Sequence, residues 1–282
     1  YDAAGNMTDA PDSCFVYDAN NRLTVFKGSS LEYDLEGNML AAPVVGGSGR
    51  LCYDGSNRLI SAGNNSYTYD AQDVRIKSTC GDKVRTFTYD TVDKLSRLVY
   101  MTDNGEVVKF VYGDGLIGEE RSGAFRTYHF DYRGSTVAIS NDCGSVSDRF
   151  EYDSYGRMTS HIGSGSVIFG YNGRDGVVTD ENGLIYMRAR YYAPSLKRFV
   201  NADIIAGEIS NAVTLNRYAY ANGNPVSNVD PFGLSADNKG KKDFSEKAKE
   251  SFVNTLAELM KAGDKASACA LLEQTLSMLK EF

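Results

Sequence analysis

The chain has 282 residues, enough for one large or two ordinary domains, and 42% of them are hydrophobic, so disorder is not the expected state outside short joints. Its 30 Lys and Arg stand against 37 Asp and Glu; a formal charge of -7 lacks the basic footprint of a body that wraps phosphates, and no nucleic acid is expected to bind it. No apolar run reaches the roughly 18 residues of a membrane span, and five scattered cysteines with two histidines leave little material for a metal site, a Cys-His nucleophile or a cofactor.

Tyr1 to Asn6 carry neither an initiating Met nor a charged-then-apolar leader, so this end reads as a cut. From Tyr1 onward a phrase recurs: Tyr-Asp, two to four turn-formers, then an apolar residue. It reads YDAAGNM at Tyr1, YDANNRL at Tyr17, YDLEGNM at Tyr33, YDGSNRL at Tyr53, YDAQDVRI at Tyr69 and YDTVDKL at Tyr89, with steps of 16, 16, 20, 16 and 20 residues. A later copy, EYDSYGRM, begins at Glu151. Aromatic and β-branched residues before the Asp favour a strand, while Asp, Asn and Gly after it hydrogen-bond their own backbone and tolerate positive φ. Each unit therefore predicts a strand, a tight turn and a returning strand. The alternation in Arg85 to Tyr89 and Val107 to Tyr112 agrees. One hairpin cannot bury its apolar face alone, so the units must join into a continuous twisted antiparallel sheet.

This phrase resembles the YD repeat of Rhs proteins, of WapA-like wall-associated proteins and of the C component of bacterial Tc toxins. The resemblance covers most of Tyr1 to Leu234 and implies a mainly β fold, repeated hairpins in a long curved, spiralling sheet that forms part of a hollow shell around a C-terminal cargo. It becomes sharper downstream. His129-Phe-Asp-Tyr-Arg-Gly-Ser135, Phe169 to Arg174, Glu181 to Tyr192, Arg198-Phe199, Asp203, Asn216 to Tyr220, Asn224-Pro225 and Asp230-Pro-Phe-Gly-Leu234 follow the Rhs-associated core in order. The implied divisions are a YD-repeat sheet over 1–125, a core over 126–234 and a variable tail over 235–282.

In that family the core often cuts its own chain after the Leu of a terminal D-P-x-G-L. Carried over by residue, the implied aspartates are Asp203 and Asp230, the assisting arginine is Arg190, and the cut falls between Leu234 and Ser235. Two carboxylates held close cannot both ionise cheaply, so one can activate water while the other donates a proton. The bland alternatives are Asp203 as a helix cap before Ile204, Asp230 as a turn starter and Arg190 stacked on aromatic rings. Ala193, Lys197 and Ile204 stand where the family pattern has Asp, Gly and Pro. His129 with Asp131 reads as a strand-end structural histidine, and Asp114 and Glu119-Glu120 as solvated turn charge.

After Leu234, Ser235 to Asp243 form a polar joint. Phe244, Ala248, Phe252, Leu256 and Leu259, then Ala268, Leu271, Leu272, Leu276 and Leu279, recur at helical spacing, with Gly263 between them; a short α-helical hairpin is predicted. It contains no motif with catalytic spacing. The expected partners are this C-terminal cargo, further N-terminal repeats, secretion machinery and an immunity protein, and the expected location is outside the cell or on its surface. A second reading is a non-enzymatic adhesion protein whose tyrosines stack on carbohydrate.

Overall fold

The computed structural model describes residues 1–10, 13–45, 47–90, 96–113, 115–205, 207, 212–234 and 237–238. The predicted helical hairpin, Ser235, Asp114 and the turn after Tyr89 lie outside the described residues.

The repeats form antiparallel strands in chain order. A four-stranded sheet runs from Asp9–Ala10 to Ser29–Ser30, and a thirteen-stranded meander runs from Ala41–Val44 to Met158–Ile162, each strand paired with its sequence neighbour. The meander continues through residues 125–126 and ends at Ile162. Along the strand Glu106–Gly113, Val108 and Phe110 are buried while Val107 and Val111 face outward. This period of two repeats across the sheet and gives it one buried face.

The Tyr-Asp phrase has a specific geometry. In the turn after Tyr53, the Asp54 carboxylate accepts the N–H groups of Ser56 at 3.0 Å and Arg58 at 3.0 Å, while Asn57 N–H closes on the Asp54 carbonyl. Asp2, Asp18, Asp70, Asp131 and Asp153 accept the same two N–H groups, from the residues two and four ahead. Three residues after the Asp the backbone turns left-handed: Asn57 has φ 65° and Gly156 φ 85°. At Gly156 a Cβ would lie 2.5 Å from the Tyr171 ring, so that turn needs glycine for space as well as conformation. Replacing Asp70 by Ala leaves two N–H groups without their acceptor and is expected to cost about 1–2 kcal/mol, whereas Asp70→Asn keeps one acceptor oxygen and costs less. Urea denaturation of the two variants checks the order.

At five of the seven phrases the tyrosine marks a break in register. The strand pairs slip between Val16 and Tyr17, Cys52 and Tyr53, Thr68 and Tyr69, Thr88 and Tyr89, and Glu151 and Tyr152. A bulge bends its strand and adds twist, so a bulge recurring at these five units is a built-in source of bending. Tyrosine hydroxyls also reach back to the preceding unit: Tyr17 to the Met7 carbonyl at 2.8 Å and Tyr69 to the Leu59 carbonyl at 2.7 Å.

Residues from about 165 onward cover the buried face of the sheet. Ile168, Phe169, Leu184, Tyr186, Tyr191 and Val200 share one apolar cluster with Leu51, Tyr67, Phe87, Met101, Phe110 and Ile139. Polar pins fix the two layers, including Val45 N–H to the Asn182 carbonyl at 2.8 Å and Tyr218 hydroxyl to the Gly37 carbonyl at 2.9 Å. The most buried is Arg75, whose side chain is 0% exposed and which reaches the Asp180 carboxylate at 2.6 Å.

The charge expected to be solvated at Glu119 is a correction. Glu119 is buried in the strand Gly115–Arg121, where it accepts from Arg126 at 3.0 Å and from the Tyr128 hydroxyl at 2.7 Å. A carboxylate on a buried strand face demands donors, and the neighbouring strand Ala124–Phe130 supplies them.

Candidate active site

Arg190 opens the strand Arg190–Ala193, which sits in the middle of a four-stranded sheet from Val178–Thr179 to Arg198–Phe199. Its guanidinium is buried and lies 3.6 Å from the centre of the Phe199 ring, so the stacking alternative for Arg190 holds as far as it goes. The polar contacts go further. Nη2 meets Asp203 Oδ2 at 2.8 Å and Asp230 Oδ2 at 3.5 Å, Nη1 donates to the Arg217 carbonyl at 3.0 Å, and Nε donates to the Gly233 carbonyl. Two carboxylates 27 positions apart in sequence thus converge on one guanidinium nitrogen.

Asp203 is held from both sides. Its N–H donates to the Arg217 carbonyl at 2.8 Å, and Arg217 Nε returns a bond to the Asp203 carbonyl at 2.6 Å. Its Oδ1 accepts Ile205 N–H at 2.9 Å, across a bend rather than the start of a helix. Burial pushes the Asp203 carboxyl above the usual range, and the Arg190 charge and main-chain N–H groups pull against it.

Asp230 is also buried, and its Oδ1 accepts Leu234 N–H at 3.0 Å while Gly233 N–H closes on its carbonyl at 3.3 Å. Gly233 has φ 68°. These are contacts of the repeat turn: carboxylate to the residue four ahead, carbonyl to the residue three ahead, and a left-handed backbone there. Asp230-Pro-Phe-Gly-Leu234 is a further copy of the Tyr-Asp turn with Val229 in place of tyrosine. Its aspartate touches both Arg190 and the N–H of the residue before the expected cut. A short hairpin carries this turn, with Asn228–Val229 paired to Asp237–Asn238. Leu234 is therefore held at the Asp230 carboxylate; Ser235 lies outside the described residues.

The departures from the family pattern fall at a strand end, a turn and a bend. Lys197, where Gly is usual, adopts φ 60°, a conformation glycine reaches without a Cβ penalty. It is anchored by its Nζ near Met7 Sδ at 3.1 Å and over the Tyr155 ring at 5.4 Å. Ala193 is fully buried at the end of its strand. None of the three substitutions removes a contact of Arg190, Asp203 or Asp230.

His129 lies away from this site and is exposed, with Nε2 2.8 Å from Ser140 Oγ. Asp131 is occupied by the turn N–H groups of Arg133 and Ser135, which leaves the structural reading of the histidine in place. Among the described residues no group of three or more His, Cys, Asp or Glu side chains is placed to hold a metal ion, and no helix is long and apolar enough to cross a membrane. Cys14, Cys52, Cys80 and Cys143 are free thiols.

Sequence reasoning missed Arg217 and Arg188. Arg217 backs Asp203, and Arg188 reaches the Pro231 carbonyl at 2.6 Å. Arg188 sits in the turn between the strands Ile185–Met187 and Arg190–Ala193 with φ 56°, where no sequence spacing signals its contact. A cavity of about 100 Å³ adjoins the site, lined by Arg188, Arg190, Asn201, Phe232, Tyr53 and Tyr89 among others.

Comparison with known proteins agrees with this architecture. The model of the Teneurin YD-shell family matches residues 1–226. The tRNA3(Ser)-specific nuclease WapA of Bacillus spizizenii is 32% identical over 229 residues, covering 76% of this chain and 9% of that protein. The double-stranded DNA deaminase toxin A of Burkholderia cenocepacia is 28% identical, covering 83% of this chain and 19% of that protein. Among solved structures, the TcdB2-TccC3 crystal structure aligns with a TM-score of 0.61 at 19% identity, over 83% of this chain and 13% of that one, a likeness of fold. The chain thus spans less than a fifth of the length of these relatives.

Proposed function

The chain belongs to the Teneurin YD-shell family, and from that premise we propose that it is the closing portion of a toxin-delivery shell that frees its C-terminal cargo by cutting itself between Leu234 and Ser235. The observation that carries the cleavage reading is the meeting of Asp203 and Asp230 on Arg190, with Asp230 holding the N–H of Leu234.

On this reading the sheet through Ile162 continues a curved wall built by further N-terminal repeats, the residues from about 165 to 234 cover its buried face, and residues 235–282 are the cargo or its beginning. Secretion machinery and an immunity protein are its further partners, and it acts outside the cell or at its surface.

The chemistry is hydrolysis of one peptide bond. Asp230 takes a proton from water, whose oxygen attacks the Leu234 carbonyl carbon. Asp203, whose carboxyl burial pushes above its ordinary range, is the proton donor on this reading: in its protonated form it hydrogen-bonds the developing oxyanion and passes its proton to the departing Ser235 nitrogen. The C–N bond breaks, leaving a carboxyl on Leu234 and an amine on Ser235. Arg190 fixes both carboxylates and, through the Gly233 carbonyl, the chain to be cut. Intact-mass measurement over time tests the proposal. A product ending at Leu234 is expected, and its absence, or a cut at another bond, contradicts the reading.

A further inference from the structure

Three consecutive residues touch three consecutive carbonyls of the terminal turn. Arg188 Nη1 donates to Pro231 O at 2.6 Å, Ala189 N–H to Phe232 O at 3.2 Å, and Arg190 Nε to Gly233 O. The next donor in the register is Leu234 N–H, taken by Asp230 Oδ1 at 3.0 Å. Arg190 already has a place in the site. Arg188 does not, and its surroundings are unusual. Its backbone is left-handed at φ 56°, and its Nη2 is spent on two further carbonyls, Asp175 O at 3.0 Å and Ser96 O at 3.3 Å. The guanidinium thus joins the repeat sheet, the core and the cleavable turn through their backbones.

We propose that residues 188–190 form a main-chain clamp that sets the register of the segment to be cut, with Arg188 as a positioning residue that fixes Pro231 and thereby places the Leu234 carbonyl. The proposal rests on the self-cleavage reading of the same site. Its substrate class is a peptide read by backbone rather than by side chains, at the four residues on the N-terminal side of the cut. The clamp holds carbonyl oxygens at 231, 232 and 233, and a Cβ at Gly233 would lie 2.6 Å from the Met187 carbonyl. Glycine at 233 is thus required by the clamp, because the turn must lie flat against the strand, and the Arg188 guanidinium adds one side-chain contact, 5.6 Å from the centre of the Phe232 ring. A bidentate or forked donor suits carbonyls arriving from three elements, which is why an arginine serves here.

The test uses the 282-residue chain with Arg188→Met and Arg188→Lys. By intact mass, Arg188→Met is expected to slow formation of the product ending at Leu234 by about 100-fold, the scale of a misplaced reacting bond. Arg188→Lys, which retains a cationic donor, is expected to recover to within about 10-fold of the parent. A second arm does not need cleavage: in an Asp203→Asn background, Arg188→Met is expected to raise hydrogen exchange over 230–234 and leave the strand Ala124–Phe130 unchanged. Equal cleavage with unchanged exchange overturns the clamp, as does exchange that rises throughout the sheet or a Lys variant as slow as Met. A parent chain that stays intact overturns the self-cleavage reading alone, and the exchange arm then decides the clamp.

Discussion

Replacing Arg75 by methionine is expected to lower the unfolding free energy by about 3–5 kcal/mol, because it strands the buried Asp180 carboxylate. Arg75 comes from the repeat sheet and Asp180 from the covering layer, and their 2.6 Å contact is enclosed on both sides. Aromatic rings from both layers complete the enclosure: the guanidinium lies 4.2 Å from the centre of the Tyr186 ring, 5.0 Å from Phe87 and 5.3 Å from Tyr67, and Nη1 reaches the Tyr191 hydroxyl at 3.1 Å. Ring faces favour a cation once water is gone, which offsets the absence of a hydrogen-bond partner at the buried Arg75 Nε and Nη2. Removing both charges at once, as Arg75→Met with Asp180→Leu, is expected to recover most of the loss, since an apolar pair of similar volume replaces a buried ion pair at little net cost. Urea denaturation in an Asp203→Asn background keeps cleavage out of the measurement. A single-variant loss below about 1 kcal/mol, or a double variant no more stable than the single one, contradicts the assignment of this pair as the bolt between layers.

The repeat was legible because each Tyr-Asp phrase carries its own local physics. Asp at the turn start, Gly, Asn or Asp three residues on and aromatic residues before it state the strand-turn-strand unit without reference to the rest of the chain. What the phrase does not state is the bulge at its tyrosine, since a slip of register is decided by the partner strand. Nor does it state which charges are buried. Glu119 and Arg75 look like surface residues in sequence, and only the neighbouring strand and the covering layer turn them into buried ion pairs.

The site was legible only through the ordered core motifs. Nothing local brings Asp203 to Asp230; the meeting depends on Arg190, which is buried at the start of its strand over the Phe199 ring. The structure adds a reason for the D-P-x-G-L pattern. It reuses the geometry of the Tyr-Asp turn, with Asp230 as the turn aspartate and Gly233 at the left-handed position. An aspartate that elsewhere satisfies backbone N–H groups and pairs with an arginine of its own turn, as Asp54 does with Arg58, here meets a guanidinium from another strand that also holds a second carboxylate. Arg188 and Arg217 escaped notice because they act on carbonyl groups, which no sequence motif displays.

On the proposed mechanism, a proton on Asp203 would tie cleavage to pH, with the direction set by the burial that raises its pKa. Its folded pKa lies above the ordinary 3.8, with burial as the leading cause. Between those two values the folded chain holds more protons than the unfolded chain, so stability falls as pH rises through that window and is greatest below it. The same proton is the one the proposed acid donates, so the cleavage rate is expected to fall as pH climbs through the folded pKa. Asp203→Asn is expected to lower the rate by about 10²–10⁴-fold, the usual scale for a general acid. The two effects separate by comparing Asp230→Asn with the Asp203→Asn, Asp230→Asn double variant, both expected to remain uncut: urea midpoints of the first should decline with pH relative to the second. A cleavage rate that rises steadily with pH, together with midpoints that stay parallel, would mean that Asp203 is ionised in the folded chain, and the acid would have to be sought at Asp230 instead.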